Sequence, residues 1–402
     1  MIKHTTSDIR RSNRLAILQH IYASAPISRQ ELTVSSSLSQ ATVANVVTDL
    51  LGTGIVVESG YRHSQGGRPR AILGINAAHG ALIGVDVAET YIRYVLFDFQ
   101  LLHKTTIEHA LPPEANQPAQ IVDCLVCSLN ELLQTSGTPR AKVVGVGISI
   151  PGLVERAGGV SVFAPNWAWH DVPLAALLKA QIDLPIYLDN PLKASAIAEQ
   201  WFGAGRGIQN LVAVTLGTGV GAGVMINGAL YRGTTNSAGE WGHTTVVLDG
   251  RPCSCGNYGC LEAYVGAPGI LQTLAELAPG SALLHYRDQT ASITALVAAA
   301  RQGDPIANEV IQRTTRYVGV ALASLINLFN PQVVVIGGWV GLQLGHAWLP
   351  ELRASAARHA LARPMNATTI QLCQLPNQIS MGAATFALEG FLLSGPTGVG
   401  VH

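Results

Sequence analysis

The chain is poor in charge. Asp, Glu, Lys and Arg make up 12% of its 402 residues and cancel to a formal net charge of zero. That excludes a disordered solvating tail and a protein that coats nucleic acid over its whole surface. Aromatic residues are few, at 6%, while the hydrophobic share reaches 48%. This composition demands folded cores, and the length asks for two or three domains. Long apolar runs are missing. None approaches the ~20 residues that cross a bilayer, and the polar N-terminus lacks the apolar stretch of a secretory leader. The expectation is a cytoplasmic protein with no membrane insertion. Cysteine is scarce, with six in all, which excludes a disulfide scaffold. Cys124, Cys127 and Cys373 read as buried thiols. A redox role for Cys124-x-x-Cys127 is disfavoured, because the pair lies inside the helical pattern Ile121, Leu125, Leu129, Leu132.

The other three cysteines crowd together. Glu240-Trp-Gly-His243 and Cys253-Ser-Cys255-Gly-Asn-Tyr-Gly-Cys260-Leu-Glu262 place four soft metal ligands and two carboxylates within 23 residues. One His and three Cys fit a closed tetrahedral zinc site of the structural kind. Gly256 and Gly259 let the backbone turn tightly enough for the ligands His243, Cys253, Cys255 and Cys260 to converge. Unrelated small residues in a glycine-rich loop are the alternative, and three thiols in so short a span argue against it. Glu240 and Glu262 bracket the site, are not needed for zinc, and are free to hold a polar ligand.

Charge, though scarce, is uneven. Residues 1–75 carry eight Lys/Arg against four acids, a net +4, so the remainder is −4. A basic N-terminal module on an acidic body suggests a nucleic-acid reader joined to a sensor. Residues 8–24 read as a helix ended by Pro26. Ser28 caps a short helix with Glu31 three residues on, a capping box. Ser39 caps a third helix with the apolar face Val43, Val46, Val47, Leu50 and Leu51. Gln40, Ala41, Thr42 and Asn45 lie off that face, short or polar groups suited to base edges. Two helices, a tight turn and a recognition helix make a helix-turn-helix. Residues 55–58 and 70–75 then read as strands around a flexible basic wing tip, Gly60 to Pro69. Arg68 in that tip is placed to enter a minor groove or grip phosphate. A small helical oligomerisation domain is the rival, and it leaves the basic wing unexplained.

After Asn76 the pattern becomes α/β. Ala81–Val87 and Tyr91–Asp98 read as a hairpin, and Val143–Ile150 as a buried strand ending at Pro151-Gly152. Leu211–Leu216 leads into Gly217-Thr-Gly-Val-Gly221 and a second strand from Gly223. Val333–Ile336 ends at Gly337-Gly338. Two similar openings suggest two related lobes, residues 81–195 and 196–380, with the apolar helix 381–393 packing back on the first. Glycine-ended strands suit phosphate, although tight turns use the same residues.

Together these residues resemble the ROK family of sugar kinases and sugar-responsive repressors. The resemblance spans nearly the whole chain. It is most specific at Leu216-Gly-Thr-Gly-Val-Gly-Ala-Gly, at Ala238-Gly-Glu-Trp-Gly-His243 and at the Cys253–Glu262 run. Gly66-Gly-Arg-Pro69 matches the wing of the repressor branch, whose xylose and N-acetylglucosamine repressors are similar. The resemblance implies an N-terminal winged helix on an actin/hexokinase-like two-lobed body. It places Gly152, Asn190, Glu240, His243 and Glu262 at sugar-contacting positions, with one ring nitrogen of His243 on zinc and the other toward the sugar.

The departures set the function. The family's kinases carry a carboxylate base immediately after this Asn, and here that position is Pro191, which accepts no proton. If residues 189–191 were a strand, Asp189 would stand about 7 Å away. The first phosphate turn, Asp-x-Gly-Gly-Thr in the kinases, is Asp86-Val-Ala88-Glu89-Thr90, without either glycine. The expectation is therefore a transcriptional regulator and not an enzyme. It is read as a repressor, in preference to an activator, that binds operator DNA as a homodimer or dimer of dimers. A monosaccharide or sugar phosphate would release it, and a structural zinc would be its cofactor. A repressor controlled by a protein partner such as a sugar transporter is the alternative, and an active sugar kinase a weaker one.

Overall fold

The computed structural model describes residues 6–64, 67–112, 116–286 and 288–394. It opens with α1 (Thr6–Ser24), the two-residue β1 (Ile27–Ser28), α2 (Arg29–Ser36) and α3 (Gln40–Gly52). The hairpin β2 (Val56–Ser64) and β3 (Gly67–Ile75) follows. Local chemistry dictates the helix starts. The Ser28 hydroxyl accepts from the Glu31 amide while Glu31 reaches back to the Ser28 amide, a complete capping box. The Ser39 side chain accepts from the Thr42 amide. Ile17, Leu18, Ile21, Leu32, Val43, Val47, Leu50 and Leu73 are buried and form the core of the module. The small sheet runs β1-β3-β2 and is antiparallel. These are the elements of a winged helix.

The strands of the wing run further than residues 55–58 and 70–75. Strand pairing continues through Arg62↔Arg70 to Ser64↔Gly67, with irregularities after Glu58 and Arg62. Residues 65 and 66 lie outside the described residues. Pro69 is tolerated because β1 pairs only with Ile72 and Leu73, so β3 is an edge strand at Pro69.

The next elements are β4 (Ala81–Val87), β5 (Tyr91–Asp98), β6 (His103–Ala110), α4 (Pro118–Ser136) and β7 (Val143–Ser149). A small antiparallel sheet follows, of β8 (Leu153–Glu155), β9 (Val160–Ala164) and β10 (Trp169–Val172). Then come α5 (Leu174–Lys179), β11 (Ile186–Asp189) and α6 (Pro191–Phe202). The main sheet has the order β11-β7-β4-β5-β6, parallel among the first three and antiparallel thereafter. The apolar stripe Ile121, Leu125, Leu129 and Leu132 of α4 is buried on it. That stripe leaves the two α4 thiols at its margin. Cys127 is exposed and Cys124 half-buried, against the expectation of burial, while Cys373 is buried.

The chain divides into two compact units. Residues up to Ala194 and from Asn377 onward form the first, and Ser195–Pro376 the second. The winged helix thus belongs to the first unit. The second holds β12 (Leu211–Leu216), β13 (Val220–Ile226), β14 (Ala229–Leu230), α7 (Glu262–Val265), α8 (Ala267–Leu277), α9 (Gln289–Arg301) and α10 (Pro305–Phe329). Then follow β15 (Val333–Gly337), α11 (Trp339–His359), α12 (Ala362–Ala367) and β16 (Thr369–Leu372). The strand after the glycine turn begins at Val220, earlier than Gly223, because Val220↔Leu216 already pairs. The sheet order is β14-β13-β12-β15-β16. Val212, Val214 and Ile336 of this sheet share a core with Leu296, Leu322 and Ile326 of the helices. The last helix, α13 (Gln378–Ser394), returns to the first unit and packs on β4, β7 and β11.

Candidate functional site

A loop of the second unit gathers four metal-ligating side chains. His243 ends a single 3-10 turn, Trp241–His243. The following loop is closed by the bridges Thr245↔Cys260 and Pro252↔Tyr258. The Cys253 amide donates to the Asn257 carbonyl at 2.8 Å and the Gly256 amide to the Cys253 carbonyl at 3.0 Å. Gly259 has φ +69°, and a Cβ there would lie 1.6 Å from the Val247 carbonyl oxygen, so only glycine fits.

The ligand atoms of His243, Cys253, Cys255 and Cys260 lie within 4.8 Å of one another. The Cys255 and Cys260 sulfurs are 3.8 Å apart, and His243 Nδ1 is 3.6 Å from the Cys253 sulfur. A tetrahedral centre with zinc-type bond lengths requires about 3.8 Å and about 3.6 Å for those pairs. Burial and the neighbouring thiols push the Cys260 thiol up to about 12, and burial raises Cys253. Such thiols are held protonated until a cation displaces the protons. The four residues could hold a metal ion through Nδ1 of His243, leaving Nε2 for a second partner.

Two residues shape this loop in ways the sequence did not signal. Arg251 donates to Glu276, to the Ala263 and Gly269 carbonyls and to the Thr273 hydroxyl, and lies over the Tyr264 ring at 4.8 Å. It bolts the metal loop to α7 and α8. Glu262 is the other, and it is not free as expected. Its Oε2 accepts from the Val220 amide at 2.8 Å, and its Oε1 accepts from the Ser254 hydroxyl at 3.3 Å. Glu262 therefore ties the metal loop to the Gly217–Gly221 turn. Glu240, half-buried, precedes the Trp241 turn.

In the first unit, Gly152 and Asn190 come together. Asn190 Nδ2 donates to the Gly152 carbonyl at 3.3 Å. Gly152 has φ +87°, and a Cβ there would lie 2.1 Å from the Phe163 carbonyl oxygen. Residues 189–191 do not form a continuous strand. β11 ends at Asp189 and α6 begins at Pro191, with Asn190 Oδ1 accepting from the Lys193 amide as an N-cap does. Proline suits the first helical position because its missing N–H has no partner to lose. Asp189 is fully buried, and its Oδ1 accepts from the Asn190 amide at 2.9 Å.

The turn after β4 is closed by its own side chains. The Tyr91 hydroxyl donates to Asp86 Oδ2 at 2.9 Å, and burial pushes the Asp86 carboxyl up to about 6. Arg93 lies over the Tyr91 ring at 4.8 Å and is paired with Glu108. Glu89 accepts from Asn166 Nδ2 at 3.0 Å.

On α3, Gln40, Ala41 and Asn45 are exposed. The Thr42 hydroxyl instead hydrogen-bonds the Ser39 hydroxyl at 2.8 Å, so it belongs to the cap. Arg68 falls on β3, with its side chain outside the described residues. Three arginines of the module are paired internally: Arg14 with Asp49, Arg29 with Glu58 and Arg62 with Glu31. Outside these three pairs the module carries Lys3, Arg10, Arg11, Arg68 and Arg70 against Asp8.

With that geometry in view, residues 82–389 match the model of the ROK family. The chain belongs to the ROK family. It is 32% identical over 376 residues to a putative xylose repressor of Caldicellulosiruptor sp. (strain Rt8B.4), covering 92% of this chain and 93% of the relative. A solved ROK family transcriptional regulator, described as a homolog of the E. coli MLC protein, superposes with TM-score 0.79 at 26% identity, over 96% of this chain and 98% of the other. A ROK family glucokinase from Streptomyces griseus, solved with glucose and AMPPNP, superposes with TM-score 0.66 at 31% identity, covering 77% of this chain and all of the kinase. The family match begins at residue 82, after the winged helix. No described helix is long and apolar enough to cross a membrane.

Proposed function

We propose that the protein is a sugar-responsive transcriptional regulator, a cytoplasmic repressor of carbohydrate-utilisation genes that does not phosphorylate its sugar. The observation that carries this reading is a winged helix placed ahead of a ROK body in one chain. The likeness to the putative xylose repressor, which runs through both parts, supports it. The body's chemistry supports the absence of kinase activity. Pro191 stands where a base is needed, and Asp189 is buried with its Oδ1 accepting from the Asn190 amide. A general base must come within hydrogen-bond reach of the proton it removes.

The metal is proposed to be zinc in a structural role, since four protein ligands leave no open position for a substrate. Gly152, Asn190, Glu240, His243 and Glu262 are the proposed sugar contacts. Gln40, Ala41, Asn45 and Arg68 are the proposed DNA contacts, with Thr42 acting through the helix cap. Operator DNA is bound by a homodimer or a dimer of dimers, which sets two half-sites.

Fluorescence anisotropy of the full chain on DNA from upstream of its own gene tests the reading, at fixed salt because phosphate contacts make affinity salt-dependent. D-xylose, D-glucose and N-acetylglucosamine are added in turn, with their phosphates. Release by one of them supports the reading. Tight binding that none of them alters would replace the sugar with a protein partner as the signal.

A further inference from the structure

The helix α13 meets α6 near its start and the β5–β6 turn near its end. At its start, Gly382 lies against α6: a Cβ there would come within 1.9 Å of the Ala194 carbonyl oxygen. Ala194 is one helical turn from Asn190, and its amide donates to the Asn190 carbonyl at 3.1 Å. Along its length α13 meets the sheet at glycines. A Cβ on Gly84 would lie 1.8 Å from the Ser380 carbonyl oxygen, and one on Gly147 would lie 1.7 Å from that of Ala383. Near the other end, Gly390 lies against the Tyr187 ring, 1.9 Å from where its own Cβ would be. Backbone laid on backbone leaves no soft side chain to absorb a shift, and packed interiors move as blocks.

At the far end stands an aromatic joint. Phe391 of α13 meets the Phe99 ring edge-on at 5.8 Å and the His79 ring at 5.8 Å, and His79 lies 4.6 Å from Phe99. Phe99 sits in the β5–β6 turn, and its carbonyl accepts from the hydroxyl of Tyr22 in α1. The same turn grips the connector from the wing, since Gln100 Nε2 donates to the Ile75 carbonyl at 2.7 Å and the Phe99 amide to the Ala77 carbonyl at 3.3 Å. From Gly382 to Phe391 the helix spans about 14 Å at 1.5 Å per residue.

We propose that α13 is the strut that carries the effector signal, from Asn190 at one end to the winged helix at the other, through the joint Phe391–Phe99–Tyr22. This rests on the sugar-responsive reading above. A sugar drawing on the Gly152–Asn190 contact moves the start of α6, and α13 passes the movement to α1. His79 fills the joint from the connector side.

The test uses the full-length Phe391→Ala and Tyr22→Phe variants, the second removing the hydroxyl that donates to the Phe99 carbonyl. Operator anisotropy is read with and without D-xylose, D-glucose and N-acetylglucosamine, sugar binding is read by calorimetry, and backbone hydrogen exchange is followed over residues 6–24. The strut predicts sugar and operator affinities within about threefold of the parent, but a sugar-induced release reduced tenfold or more, with faster exchange in α1. Full release retained by both variants overturns it. Should no sugar release the parent, the sugar-responsive reading fails by itself. Hydrogen exchange then decides the joint, and unchanged α1 protection in both variants would overturn it.

Discussion

The two large sheets share one topology and part at one turn. Each has a hairpin whose first strand is flanked by two parallel strands, β4–β5 beside β7 and β11 in one unit, β12–β13 beside β15 and β16 in the other. The β4–β5 turn has no glycine and is closed by Tyr91 on Asp86. The β12–β13 turn keeps Gly217 and Gly219, yet its backbone groups are used inside the protein. Val220 donates to Glu262, and the Gly217 carbonyl accepts from Ala267 at 2.9 Å. A Cβ on Gly217 would crowd the Trp339 indole at 3.2 Å. Glycines suited to phosphate can therefore serve packing, so the retained turn is not by itself a sign of phosphate binding.

The largest effect is expected at the four proposed metal ligands of the second unit. Cys255→Ser should lower metal content from one ion per chain to near zero and destabilise the second unit by on the order of 4 kcal/mol. Elemental analysis and thermal melting check it, and stoichiometric metal in the variant would refute the ligand assignment. In the first unit, Asp86→Asn removes a buried carboxyl raised from 3.8 to about 6. The folded chain holds that proton more tightly than the unfolded one, so Asp86 lowers stability as pH rises through about 4 to 6. The variant should lose that slope and gain up to about 3 kcal/mol at pH 7. A slope that survives would mean another group titrates there.

Glu262→Ala strips the tie between the His243–Cys260 loop and the glycine turn, which the first unit's turn does not have. A loss of about 2 kcal/mol is expected from the freed Val220 amide. A neutral result in denaturant titrations would remove the structural role. Smaller still, Ser39→Ala should cost about 1 kcal/mol through the α3 cap. Asn45→Ala should leave stability unchanged and reduce sequence discrimination more than non-specific DNA affinity.

Much of this architecture was legible because its causes are local. The Ser28–Glu31 capping box, the Ser39 cap and the Cys253–Cys260 run act over a few residues, and their local spacing announces them. What escaped depends on distant partners. Pro191 does not announce a helix start until the Asn190 side chain is seen to cap α6. Glu262 looks free until the Val220 amide, 42 residues earlier, is found on its carboxylate. Arg251 offers no motif, since its acceptors lie on α7 and α8. Cys127 is exposed because the apolar stripe of α4 passes beside it.

The claim that the body senses sugar without phosphorylating it is tested most directly in one tube. The protein, its operator and Mg-ATP are incubated with the sugar that lowers anisotropy, and the sugar is then analysed by mass spectrometry. The account predicts operator release with the sugar recovered unphosphorylated. Accumulation of a sugar phosphate at catalytic turnover would contradict it.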